Sequence, residues 1–140
     1  MKPHQFIERT KRFAVSVLNM IKDLPKIHPS QVMSYQIVRS ATSVAANYRS
    51  ACRSKSTRDF IYKMKVVEEE LDETIYWLEL IGETHIYLRD KVSLLTAEAN
   101  ELMCMTVQSL ITVRRNQRRL QSHDANELTD VPYNRSQFNR

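Results

Sequence analysis

Phe60-Ile-Tyr-Lys-Met-Lys-Val-Val-Glu-Glu-Glu-Leu-Asp-Glu-Thr-Ile-Tyr-Trp-Leu-Glu-Leu-Ile81 is the stretch that decides the fold. Phe60, Met64, Val67, Leu71, Thr74, Leu78 and Ile81 recur at alternating spacings of four and three. That is a heptad seam, the pattern of a helix packed lengthwise on other helices. The opposite side is not wholly polar. Tyr62, Val66, Tyr76 and Leu80 share an outward strip with Glu69 and Glu73, and Trp77 flanks the seam. Apolar residues on both sides imply more burial than one bundle supplies. The strip is either a set of solvent-tolerant tyrosines or a subunit interface formed by Tyr62, Val66, Tyr76, Trp77 and Leu80.

Working outward, Ser56-Thr-Arg-Asp59 reads as a capping box that starts this helix. Gly82, the chain's only glycine, is expected as a left-handed cap that ends it. Upstream, Phe6, Phe13, Val17, Met20 and Leu24 predict a first helix over Pro3–Leu24, stopped by Pro25. Met33, Ile37, Ala41, Val44 and Tyr48 predict a second helix over Ser30–Cys52. Small and polar residues crowd that helix, which favours close approach of another. Ser40, Ser43 and Asn47 are expected to make buried hydrogen bonds that fix helix register or subunit contact. Arg39, Ser43 and Asn47 are read as a buried polar network in which Arg39 pairs with Glu68 or Glu69. Downstream, Val92, Leu95, Ala99, Leu102, Thr106, Leu110 and Val113 form a second near-heptad seam, with Asp90 as N-cap and an end near Arg119. Short loops between helices of similar length make neighbours antiparallel. The expected fold is all-α, an antiparallel up-down-up-down four-helix bundle over residues 1–119, followed by a disordered tail over 120–140.

The chain has 140 residues, which suits one domain, and 42% hydrophobic residues, enough for one core. Its longest uncharged run, Leu102–Val113, is too short to cross a bilayer, and no signal-peptide core stands at the start. A cytoplasmic protein without a membrane partner is expected. Cys52 and Cys104 lie far apart in sequence and are expected to be reduced and packed, with an isolated disulfide as the alternative.

Chemistry is hard to place. Carboxylates concentrate at Glu68, Glu69, Glu70, Asp72 and Glu73, but no Glu-x-x-His occurs, and the four histidines fall near helix ends, in loops or in the tail. The acidic run therefore reads as a solvated face and not as a metal site. A single glycine leaves no Gly-rich phosphate loop. No catalytic residue, metal or cofactor is assigned.

Charge is more informative. The net charge is +5, and the cations are segregated. Arg49, Arg53, Lys55 and Arg58 cluster before the central helix, while Arg114, Arg115, Arg118 and Arg119 cluster at the end of the fourth. Each cluster is either a solvated helix end or a surface for phosphates, with salt-dependent, sequence-tolerant binding. A basic end meeting an acidic face of the next copy is a second use of the same segregation.

The residues also resemble a family. Gln36-Ile-Val-Arg-Ser-Ala-Thr-Ser-Val-Ala-Ala-Asn47 is similar to the Gln-Ile-Arg-Arg-Ser-Ala-x-Ser-Ile-x-x-Asn of the bacterial four-helix bundle proteins first noticed as products of intervening sequences in 23S ribosomal RNA genes. Ser54–Phe60 resembles that family's basic, Ser-containing turn before an acidic residue and Phe, and Glu68–Leu80 resembles one of its branches. The likeness spans Phe6–Val113; the Glu-Gly pair that many members carry after Asn47 is missing here. Accessory proteins of diversity-generating retroelements are more distant relatives. The resemblance implies an antiparallel bundle assembled into a ring, commonly a homopentamer, without enzyme activity. It also implies two kinds of partner: nucleic acid, RNA or DNA, held on a basic surface, or a protein such as a reverse transcriptase.

Overall fold

A computed structural model describes residues 1–129. Four helices follow one another: α1 (Pro3–Ile21), α2 (His28–Ala51), α3 (Thr57–Thr84) and α4 (Arg89–Thr129), with a short 3-10 turn over Ile86–Leu88. Each packs on its sequence neighbours, and α4 closes the ring against α1. Among the described residues the backbones of the diagonal pairs do not approach closely, so the topology is an antiparallel up-down-up-down bundle.

Both seams point inward. Met64, Val67, Leu71, Thr74, Leu78 and Ile81 of α3 are buried, as are Val92, Leu95, Ala99, Leu102, Thr106 and Leu110 of α4. Phe6 meets Tyr48 edge-on, with ring centroids 4.4 Å apart. The small residues of α2 work as close-packing positions: Ser40, Ala41 and Val44 are fully buried. The Ser40 and Thr74 hydroxyls meet across α2 and α3 at 2.8 Å. Thr74 also lies 2.7 Å from the Glu70 carbonyl oxygen, so this buried pair is satisfied. The sparse α1–α4 seam is pinned by Arg9. Its Nε and Nη2 donate to the two Glu98 oxygens at 2.7 and 2.9 Å, and it also pairs with Glu101. Those carboxylates, Glu98 first, hold the guanidinium pKa above its ordinary value.

Several boundaries differ from expectation. α1 ends at Ile21, and Leu24 belongs to a tight turn, because the residue before a proline avoids helical dihedrals. α2 begins at His28, since Pro29 is tolerated in a first turn. At α3 the Ser56 hydroxyl accepts from the Asp59 N–H at 3.1 Å, while the Asp59 carboxylate reaches past Ser56 to the Lys55 N–H at 3.4 Å. Gly82 is no left-handed cap. Among the described residues none has positive φ, and α3 continues to Thr84. A Cβ built on Gly82 would lie 3.0 Å from Val92 Cγ1, so glycine serves close approach of α3 and α4.

The helix stops at His85, a buried residue whose Nε2 meets Ser30 Oγ at 3.0 Å and whose Nδ1 meets Thr84 Oγ1 at 2.9 Å. Asp90 lies in the first turn of α4, not at its N-cap. The largest difference is the length of α4. Residues 120–129, expected as tail, are helical; the rest of that expected tail lies outside the described residues. From Glu83 to Val131 there is neither glycine nor proline, so a helix nucleated in the bundle propagates outward at little cost.

Candidate nucleic-acid interface

Antiparallel order gathers the start of α1, the end of α2, the start of α3 and the distal half of α4 at one end of the molecule. Both basic clusters therefore share that end. At 41 residues against the 28 of α3, α4 runs about 20 Å longer. Its excess carries the arginines past the packed core, whose last buried position on α4 is Leu110.

Register makes the juxtaposition specific. Gly82 abuts Val92. Moving twenty-four residues back along α3 and forward along α4 brings Arg58 level with Asn116, between Arg114 and Arg118. Arg58 is on the α4-facing flank of α3, in heptad phase with Lys65, Asp72 and Glu79. Glu79 and Gly82 share a groove with Thr96 and Asn100 of α4, and Arg114 and Arg118 lie eighteen residues, or about five turns, further along that stripe. Arg115 is the most outward of the four, and Arg119 lies on the α1 side.

All eight of these cations, Arg49, Arg53, Lys55, Arg58, Arg114, Arg115, Arg118 and Arg119, are exposed. Among the described residues none of their side chains forms an ion pair; the pairs that exist involve Arg9, Arg39, Lys63, Lys65 and Lys91. Asp59 is the acid nearest the α3 cations in sequence, and Lys63 neutralises it at 3.1 Å. That ammonium holds the Asp59 carboxyl below the usual carboxylate range. Like charges gathered without counter-charges repel by a fraction of a kcal/mol per pair in water, and an anion removes the repulsion. Guanidinium forks suit phosphate oxygens in particular.

The expected buried network of Arg39, Ser43, Asn47, Glu68 and Glu69 does not form. Arg39 is exposed and pairs with Glu73 at 2.5 Å and Glu70 at 3.4 Å. Glu70 and Glu73 lie on the α2-facing flank of α3, whereas Glu69 points outward and Glu68 faces α4, where it holds Lys65 at 2.7 Å. Arg39 keeps Glu73 ionised below its usual range, assisted by Trp77. Asn47 donates at 2.9 Å to both the Ser43 carbonyl and hydroxyl, a contact inside α2.

The five apolar residues read as one interface differ in exposure within the single chain. Val66, Trp77 and Leu80 are half-buried, Trp77 and Leu80 against the bundle's own core. Tyr62 and Tyr76 are outermost, but fourteen residues apart, about 21 Å along the axis with Glu69 between. Exposed apolar residues the sequence reading missed are Val32 and Tyr35 of α2, at 44% and 69%. Their signal was apolar character off the α2 seam.

Other chemistry is limited. Ser30 and His85 have nucleophile–base spacing but are sealed at 1% and 8% exposure, so they act as a latch between α2 and α3. Among the described residues no group of three His, Cys, Asp or Glu side chains is placed to hold a metal ion. Cys52 and Cys104 are free and exposed, not packed, because each falls one position off a buried stripe. A cavity of about 680 Å³ opens near the basic end, lined by Phe6, Tyr48, Met64, Met105 and Val113 among others. Burial there, and then Cys52, push the Tyr48 hydroxyl pKa up. No described helix is long and apolar enough to cross a membrane.

Comparison with known proteins places this architecture. No curated protein matches the chain. A solved structure does: a protein with unknown function from the S23 ribosomal protein family of Bacteroides thetaiotaomicron VPI-5482. It has a TM-score of 0.69 and 32% sequence identity, over 75% of this chain and 97% of that one. The model of the 23S rRNA-intervening sequence protein family matches residues 2–108, which includes Arg49–Arg58 and stops short of Arg114–Arg119. With most of the bundle inside that match, the chain belongs to the 23S rRNA-intervening sequence protein family.

Proposed function

We propose that this protein is a non-enzymatic, self-assembling bundle that binds nucleic acid, RNA before DNA, through its basic end. One observation carries the reading: eight exposed cations, unpaired among the described residues, share one end of the bundle, with Arg58 set between Arg114 and Arg118. Filter binding at two salt concentrations tests it. Each phosphate contact adds about 0.7 to 0.9 to the salt slope. Replacing Arg114, Arg115, Arg118 and Arg119 by Gln should therefore shrink the affinity loss between 50 and 200 mM salt by about 50- to 150-fold if all four engage phosphates. Absence of RNA and DNA binding at low salt sinks the proposal.

Self-assembly rests on exposed apolar surface that includes Val32 and Tyr35 of α2 and Tyr76 of α3, which leans on Trp77, and on the acidic flank that a basic end can meet head-to-tail. A homopentamer would scatter light as about five chains of 16.5 kDa. The same apolar surface favours a second reading, an adaptor for a protein partner such as a reverse transcriptase. Protein capture that survives nuclease, with no RNA or DNA bound by the pure chain, would favour it.

A further inference from the structure

We propose that Tyr62 is a stacking platform for an unpaired base, which makes the basic end selective for single-stranded over duplex RNA. The proposal rests on the nucleic-acid reading above and adds which form of the polymer is held. Tyr62 is 68% exposed. Three other described tyrosines are comparably exposed, and each has a local anchor. Tyr87 donates its hydroxyl to the Asp23 carbonyl at 3.0 Å and lies edge-on to His85. Tyr76 leans on Trp77 with centroids 5.0 Å apart, and Tyr35 lines a groove with Ile21 and Val38. Tyr62 has no ring partner and no hydrogen bond among the described residues.

Its neighbours are cations. Arg58, Tyr62 and Lys65 stand at i, i+4 and i+7 on one stripe of α3; Arg58 is level with Arg114 and Arg118 of α4, and Tyr62 lies about one turn further in, level with Thr112. Lys65 also holds Glu68 and marks where the stripe turns acidic. The ring is thus presented on a rigid helix, more than two thirds exposed, with the Arg58 guanidinium one turn before it and the Lys65 ammonium one turn after. Cations alone track a phosphate backbone without asking whether bases are paired. An exposed ring adds that question, because a duplex hides its base faces while every unpaired base offers one.

Fluorescence anisotropy with one labelled RNA, measured as a single strand and annealed to its complement, tests the proposal on the full chain. The single strand should bind more tightly. Tyr62→Ala should weaken single-strand binding by about 5- to 150-fold, the span of one base–aromatic stack, and duplex binding by less than about twofold. Tyr62→Phe should restore the single-strand affinity, because stacking needs the ring and not the hydroxyl. Equal loss for both forms, or no loss for the single strand, overturns the stacking role while the basic-end reading stands. If wild-type protein binds neither form, the basic-end reading itself falls. Light scattering on Tyr62→Ala completes the test. A change in assembly mass assigns the ring to a subunit contact and overturns the proposal.

Discussion

Gly82→Ala turns the close approach of α3 and α4 into a measurable energy. The new methyl carbon would lie 3.0 Å from Val92 Cγ1, 3.6 Å from Val92 Cβ and 3.9 Å from Val92 Cγ2. The first distance is inside the 3.5–4.0 Å optimum for carbon contacts, and overpacking of this kind costs roughly 1–3 kcal/mol. Opposing it, Gly82 lies in the last turn of α3 without positive φ, so alanine recovers at most about 1 kcal/mol of helix propensity. The net expectation is a destabilisation between zero and about 3 kcal/mol. Val92→Ala removes both methyl groups that the new carbon meets. In that background Gly82→Ala should stabilise by at most about 1 kcal/mol, so the two substitutions should couple by roughly 1–3 kcal/mol. Urea unfolding followed by helical circular dichroism reads all four variants, at one fixed protein concentration because assembly would add to stability. If Gly82→Ala has the same effect with Val92 as with alanine, the contact is not what glycine is for.

Two further outcomes follow from the described contacts. Glu73 has its folded-state pKa depressed below 4.5, first by Arg39, so its contribution is present above the usual carboxylate range and is lost as pH falls through the folded value. Arg39→Met should therefore cost at most about 1 kcal/mol at neutral pH, since the pair is exposed, and the gap in urea midpoint should narrow below pH 4.5; a gap that holds constant into acid refutes the linkage. Ending the chain after Arg119 should remove the helical ellipticity of residues 120–129 yet shift the stability by less than about 0.5 kcal/mol, because side chains 120–126 are exposed; a larger loss in a urea melt would show that the arm is packed.

Much of the architecture is legible in local pattern. The α3 seam from Met64 to Ile81 is buried position by position, and Pro25 and Ser56 mark an end and a start near where the chain turns. The candidate site was legible in its parts but not in its assembly. Arg58 and Arg114–Arg119 could be flagged as basic runs, yet which of them face one another depends on register between α3 and α4. Gly82 misled for the same reason: a glycine near a helix end favours a cap, unless a partner helix needs the space.

Periodicity, proline and charge runs are properties of adjacent residues. By themselves they determined four antiparallel helices, an inward heptad seam and two basic clusters. Tertiary structure decided which residues distant in sequence share a surface. It set Arg58 between Arg114 and Arg118 and gave Arg39 to Glu70 and Glu73. Register between helices depends on side-chain fit along the whole seam, and no single segment carries that information.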